Sequence, residues 1–360
     1  MPDPEVEPNC FDGLIVFTFA LKMPLNRRSP RIRLKGKAMD TNNFATKVAV
    51  VQAAPVLFNR RATIDKACRL IHEAGRKGAK LVLLPEAFVP AYPRGLSFGM
   101  VVGDRSPEGR LLWQKYWENA IEVPGPDTEA LGAAAQEAGT YLAIGVIERD
   151  RHSSRGTLYC TLLYFNPTGE LMGKHRKLKP TGAERLIWGE GDGSTLPVFE
   201  TEIGRIGGLI CWENYMPAAR MAIYSKGVEI YLAPTADHRG TWQATLQHIA
   251  CEGRCFVLGC NQFVKKDMYP TDLETLHELE NQPDVICRGG SAIVSPFGEI
   301  IEGPLYDKEG ILYADLDPSE VIKGKVDFDV MGHYARPDIF QLTVNDKPLR
   351  SVSYSSGEDA

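Results

Sequence analysis

The chain has 360 residues, of which 44% are hydrophobic and 24% charged. That length and composition support one large domain or two small ones with a sizeable core, and they exclude a chain that is disordered throughout. A formal net charge of -5 argues against a nucleic-acid binder, whose contact surface would be basic. Eight cysteines (Cys10, Cys68, Cys160, Cys211, Cys251, Cys255, Cys260 and Cys287) are scattered through apolar stretches without a CxxC pair. That pattern fits reduced thiols in a cytoplasmic protein. Cys251 and Cys255 are expected on one helix face, but no second Cys or His pair stands at zinc spacing, so no metal site is expected.

Residues 1 to about 45 read as a poorly ordered extension, with Met39 a candidate working start. The beginning is acidic, residues 14–21 are apolar and residues 27–37 are basic. The apolar run falls short of the roughly 20 residues a bilayer span needs. Its charge order fits neither a secretory signal nor a transit peptide.

Regular structure is expected from a strand over 47–52 onward. Ile64, Ala67, Cys68 and Ile71 recur at helical spacing and predict a helix over about 60–77, ended by Gly78. A buried strand over 81–84 is closed by Pro85 and followed by Glu86. Residues 91–109 carry Gly and Pro punctuation and read as a long loop. Helices over about 110–119 and 128–138 follow, the second capped by Asp127 or Thr128. Strands are predicted at 141–148, 157–165 and 171–176, the last leading into Lys177. An apolar run from Arg205 reads as a strand entering Gly207-Gly208-Leu209-Ile210-Cys211-Trp212-Glu213-Asn214-Tyr215. A helix over 217–226, a strand over 229–233, a loop to Arg239, a helix over 241–252 and a strand over 255–261 come next. Residues 265–284 are polar and read as a surface insertion. Short strands at 290–294, 298–301 and 311–315 precede a less regular tail from Lys323. Some strands follow one another directly and others are separated by helices. This predicts an α/β fold with partly antiparallel sheets and outer helices.

Three reactive side chains fall where strands end: Glu86, Lys177 and Cys211. Sites in open α/β sheets gather outside the carboxyl ends of strands. Each residue alone has a bland reading. Glu86 after a proline can cap a helix, Lys177 lies in a basic run that is ordinarily solvated, and a strand-end cysteine is ordinarily inert. Their coincidence points to nucleophilic catalysis, with Cys211 on a sharp strand-to-helix turn. A free thiol near pKa 8.5 is only slightly ionised at neutral pH. An ammonium about 4 Å away is worth up to about 4 kcal/mol at an effective dielectric of 20, so Lys177 is expected to favour a Cys211 thiolate. Glu86 suits proton transfer. Lys177 and the backbone N–H of Trp212 suit stabilisation of a tetrahedral intermediate.

These residues lie in motifs that resemble the nitrilase branch of the carbon–nitrogen hydrolases, over about residues 46–342. Pro85-Glu86-Ala87-Phe88 resembles the general-base motif, 175–181 the lysine motif and Cys211-Trp212-Glu213-Asn214 the nucleophile motif. Residues 183–194 resemble a segment of nitrilases and cyanide-hydrolysing relatives, and 332–337 a carboxyl-terminal signature. The resemblance implies a four-layer αββα sandwich over 46–322, with residues 323–360 as a tail making oligomer contacts. It implies Glu86 as proton acceptor, Lys177 stabilising the intermediate, Cys211 as nucleophile and Glu184 supporting the lysine. The implied reaction converts a nitrile to a carboxylic acid and ammonia without metal or organic cofactor. Cyanide-converting and amidase relatives are the alternatives, and a non-catalytic filament protein on this fold is a further one. The implied partners are a small nitrile and further copies of the chain, from dimer to spiral or filament, with neither nucleic acid nor membrane. Tyr92, Trp212 and Tyr215 are expected to contact substrate, with Phe88 and the loop 235–242 as further aromatic walls. Arg94 and Gly95 resemble plant-type and aryl-aliphatic nitrilases, which favours arylalkyl nitriles.

Overall fold

Alternate residues of the strand Thr46–Gln52 enter different cores, and that alternation builds the architecture. The computed structural model describes residues 45–150 and 154–352; the amino-terminal extension and Cys10 lie outside the described residues. Val48 and Val50 face a central core with Leu81, Leu83 and Ala143. Ala49 and Val51 face the opposite way, against Ile64, Ala67 and Ile71 of the helix Arg60–Arg76 and Leu131 of the helix Pro126–Ala138. The sheet is therefore buried on both faces, which explains its apolar runs.

This first sheet runs in the order 310–316, 46–52, 81–83, 141–149, 158–165, 171–176. Its centre is parallel and its flanks antiparallel. A second sheet runs 263–265, 285–294, 256–260, 230–234, 204–208, 198–201, again with a parallel centre. Ile206, Ile230, Leu232 and Leu258 face the central core from this side. Tyr231 and Val257 face outward, against Ala219 and Ile223 of the helix Pro217–Tyr224 and Leu246 and Ile249 of the helix Thr241–Gly253. Helix, sheet, sheet and helix thus stack into the expected αββα sandwich.

Several local expectations change. The helix Pro126–Ala138 starts on its proline, with Gly125 as the flanking residue, so neither Asp127 nor Thr128 is its N-cap. Thr128 instead reaches back, its Oγ1 accepting from Gly125 N at 2.9 Å. Arg254 ends the helix Thr241–Gly253 in a left-handed conformation, so Cys255 leaves the helix and does not share a face with Cys251. Among the described residues no His/Cys/Asp/Glu group could hold a metal ion, and no helix is long and apolar enough to cross a membrane.

The segment 265–284 is not a passive insertion. Tyr269, Leu273 and Leu279 are buried in the central core cluster. Tyr269 Oη donates to Arg94 O at 2.8 Å, and Glu278 accepts from Ser97 and Gly99. The segment straps the loop that follows Glu86. After the helix Ser319–Lys325 the chain forms no further helix or strand through residue 352, and Tyr334, Phe340 and Leu349 are exposed.

Candidate active site

Each of the three strand ends is locked by its own local chemistry. After Leu81–Leu83 the chain turns at Ala87, which has a φ of 47°, and Phe88 N donates to Gly145 O. Gln262 Nε2 donates to the carbonyl of Glu86 at 2.7 Å, tying this turn to the second sheet. A Cβ at position 145 would lie 2.3 Å from Pro85 O, so glycine is required where the turn crosses the neighbouring strand. Lys177 follows Leu171–Arg176, and its N–H donates to Cys160 O at 2.8 Å. Cys211 follows Gly204–Gly208 and opens the 3-10 turn Cys211–Tyr215 with a left-handed φ of 53°. Asn214 fixes this elbow by donating to Leu209 O and Cys211 O, and Tyr231 Oη donates to Asn214 Oδ1.

The side chains meet in a buried cluster. Lys177 Nζ lies 2.6 Å from Glu86 Oε1 and 2.7 Å from Glu184 Oε2. Glu184 Oε2 also accepts from Thr181 N, and Glu184 Oε1 accepts from Tyr92 Oη at 2.6 Å. Cys160 Sγ lies 3.6 Å from Glu86 Oε1. Glu86 Oε2 is buried and has no hydrogen-bond partner among the described residues. Thr235 Oγ1 lies 3.2 Å from Cys211 Sγ.

Burial sets the charges as much as the neighbours do. It pushes Glu86 above the ordinary glutamate value, and Glu184 adds to that, while Lys177 and the Cys211 thiol oppose it. Burial disfavours the Lys177 ammonium, but the Glu86 and Glu184 carboxylates outweigh it and keep the amine protonated, well above its ordinary value. At Cys211, burial outweighs the help expected from Lys177. Burial and the Glu86 charge push it up to about 12, and Lys177 only partly compensates. Such a setting favours the neutral thiol over the thiolate.

The expected substrate residues divide. Tyr92 borders a cavity of about 230 Å3 together with Arg94, Leu96, Glu184, Ile187 and Trp188. Trp212 and Tyr215 stand on the surface at 39% and 43% exposure, edge to face with each other. Trp212 Nε1 donates to Asp237 Oδ2. Phe88 is fully buried between the first sheet and its helices, so it forms no wall of the site. Trp242, at the end of the 235–242 loop, is likewise core. A larger cavity, about 750 Å3, is bounded by Tyr269, Leu276, Leu279 and Lys266 and contains none of the four clustered catalytic candidates.

Sequence reading missed Cys160, Thr235 and Glu213. Glu213 accepts from His175 Nε2 at 2.9 Å, Leu178 N at 2.6 Å and Ile210 N at 2.7 Å. One buried carboxylate thus joins the neighbours of Lys177 to the neighbour of Cys211.

The carbon–nitrogen hydrolase family model matches residues 47–325. A nitrilase of Bradyrhizobium diazoefficiens is 54% identical, over 88% of this chain and 97% of its own. A bifunctional nitrilase/nitrile hydratase of Lupinus angustifolius is 50% identical, over 88% of this chain and 91% of its own. The crystal structure of a carbon–nitrogen hydrolase from Helicobacter pylori shares the fold, with a TM-score of 0.63 at 22% identity, covering 82% of this chain and 96% of that one. With the sandwich, the strand-end cluster and these likenesses together, the chain belongs to the carbon–nitrogen hydrolase family.

Proposed function

We propose that the protein is a nitrilase that hydrolyses an organic nitrile to a carboxylic acid and ammonia, with Cys211 as nucleophile. The observation that carries this reading is the ammonium of Lys177 held between two carboxylates beside a buried thiol. The high identity to chains named as nitrilases supports it.

In this reading Glu86 takes the thiol proton as sulfur bonds to the nitrile carbon, and the proton passes to nitrogen, giving a thioimidate. Water, losing a proton to Glu86, adds to that carbon. Return of that proton and transfer of the remaining hydroxyl proton bring nitrogen to ammonia, which leaves as the C–N bond breaks and C=O forms, and a thioester remains. A second water adds, the C–S bond breaks, the acid departs and the thiol is restored. Lys177, helped by the N–H of Trp212, stabilises negative charge on the tetrahedral centre. Glu86 Oε2 is the oxygen suited to carry protons, because Oε1 is already bonded. Glu184 holds Lys177. The steps call on no metal or organic cofactor.

Tyr92 and Trp188 offer aromatic surface beside the cluster, which favours an arylalkyl nitrile. The exposed apolar tail after Lys325 favours a homo-oligomer, dimer or larger. Among the described residues every cysteine is free, which favours a cytoplasmic setting. Ammonia release across a panel of nitriles, with cyanide and amides included, tests the reading. Turnover of amides or cyanide alone would replace it with the amidase or cyanide-converting alternative. A second product deserves measurement, because the lupin relative is named for hydration as well as hydrolysis. If sulfur leaves the first tetrahedral intermediate before nitrogen, the product is the amide.

A further inference from the structure

Tyr92 is expected from the sequence to touch substrate, yet its hydroxyl is committed elsewhere. It donates to Glu184 Oε1 at 2.6 Å. Burial, with the Glu184 and Glu86 charges behind it, holds the phenol well above its ordinary pKa, so it remains a neutral donor. The ring meets Trp188 edge to face at 5.6 Å. Glu184 in turn holds Lys177 Nζ. Tyr92 therefore lies two contacts from the ammonium that the proposed chemistry depends on.

The loop carrying Tyr92 is held from outside. Glu278 accepts from Ser97 N at 2.5 Å, Ser97 Oγ at 2.6 Å and Gly99 N at 3.2 Å. Tyr269 Oη donates to Arg94 O. At Gly95, whose φ is +85°, an added Cβ would lie 2.9 Å from Leu279 and 3.1 Å from Gln282. The left-handed backbone at Gly95 favours glycine, and an added Cβ would also have to displace side chains of the strap.

We infer that Tyr92 is a positioning residue for Lys177, acting through Glu184, and that Glu278 sets Tyr92 by clamping its loop. The inference deepens the nitrilase reading and rests on it for the kinetic and product-ratio tests, not for the labelling test. Loss of the Tyr92 hydroxyl leaves Glu184 Oε1 without its donor. The carboxylate is then free to swing, and the ammonium loses its fixed place. A hydrogen bond to a charged group is commonly worth enough to account for about a tenfold change or more.

Tyr92→Phe is expected to lower kcat about tenfold or more, with KM nearly unchanged, and to raise the amide-to-acid ratio of the product. Glu278→Ala is expected to act in the same direction, by several-fold, without any contact to Lys177 or Glu184. A second readout needs no turnover: the rate at which iodoacetamide labels Cys211, followed by peptide mass spectrometry. A displaced Lys177 stabilises the thiolate less, so both variants should label several-fold more slowly than wild type. Equal labelling rates and an unchanged product ratio overturn the inference. So does a rise in KM for Tyr92→Phe with a silent Glu278→Ala, which would make Tyr92 a substrate contact. A wild type that turns over no nitrile while the labelling difference persists refutes the nitrilase reading and leaves the positioning role standing.

Discussion

Glu86 and Glu184 hold the same Lys177 ammonium from two sides but differ in what they have left to offer. Both oxygens of Glu184 are engaged, one by Tyr92 and the other by Lys177 and Thr181. Glu86 keeps Oε2 without a partner among the described residues. Two carboxylates on one ammonium thus acquire different capacities, one for holding and one for exchanging protons.

Cys211→Ala should fold and lose turnover by on the order of 10⁴-fold or more, as nucleophile deletions commonly do. Circular dichroism checks the fold and ammonia release checks the activity. Intact-mass spectrometry of wild type under substrate should show an adduct that the variant lacks. Appreciable nitrile hydrolysis by the alanine variant removes Cys211 from the nucleophile role.

The pH profile should report a base rather than a resting thiolate. Glu86 must be ionised to accept the thiol proton, and burial raises its pKa above the ordinary 4.5. Activity should therefore fall as pH drops through a value higher than that of an exposed glutamate. Cys211, pushed up to about 12, adds no ionisation near neutral pH. Measurement of kcat/KM from pH 4 to 10 decides the point. A wild-type Cys211 whose iodoacetamide labelling rises with a midpoint below about pH 7 would show a resting thiolate instead.

Glu184→Gln keeps the shape and removes one charge beside Lys177. Turnover should drop by about tenfold to a hundredfold, and a larger share of the product should be amide. Chromatography of amide and acid from one nitrile gives the ratio. A slower variant with an unchanged ratio would show that Glu184 supports the charge of Lys177 without affecting the branch point.

Burial lowers the His175 pKa, but the Glu213 charge and hydrogen bond more than offset this, and the value ends above 6.5. A histidine raised on folding contributes stability that is complete below its unfolded pKa and is lost as pH rises through the folded one. The denaturation midpoint should therefore decline from about pH 6.5 upward. His175→Gln should lack that part of the slope. Parallel midpoint curves for the two proteins would show that the pair does not titrate.

Leu279 tests whether the strap belongs to the core. At 1% exposure beneath Gly95, its replacement by alanine should cost about 2–5 kcal/mol. Urea denaturation reads this directly. A cost below about 0.5 kcal/mol, the range of a surface site, would return the segment to the status of an insertion.

What was legible in the sequence follows from how local each signal is. Glu86 and Cys211 were placed because Pro85 and the Gly207-Gly208 pair mark strand ends within a few residues. Lys177 looked solvated because its neighbours Lys174 and Arg176 are charged. They find Glu148 on a strand that is not adjacent in sequence to theirs. Phe88 and Tyr92 are four residues apart and equally aromatic, yet they go to opposite sides of the first sheet. The left-handed turn at Ala87 and the path of the following loop decide that, and neither is written in periodicity. Residues 265–284 read as a surface insertion because they are mostly polar, and the few buried positions, Tyr269, Leu273 and Leu279, sustain no regular helical or strand period. Their partners lie more than 160 residues earlier in the chain. The burial that pushes the Cys211 thiol up against the help of Lys177 comes from the packing of both sheets, which local spacing does not carry.

The left-handed backbone at Cys211 has a consequence for how this protein tolerates change. A non-glycine residue there costs roughly 1–2 kcal/mol relative to a relaxed conformation. The fold thus holds the Cys211 sulfur on a backbone conformation that glycine would occupy more comfortably. A laboratory selection for heat resistance alone, blind to turnover, would then favour glycine at the position of the proposed nucleophile. Stabilised descendants of this chain should be screened for activity at every round, since gains in melting temperature at this elbow and loss of the enzyme point the same way.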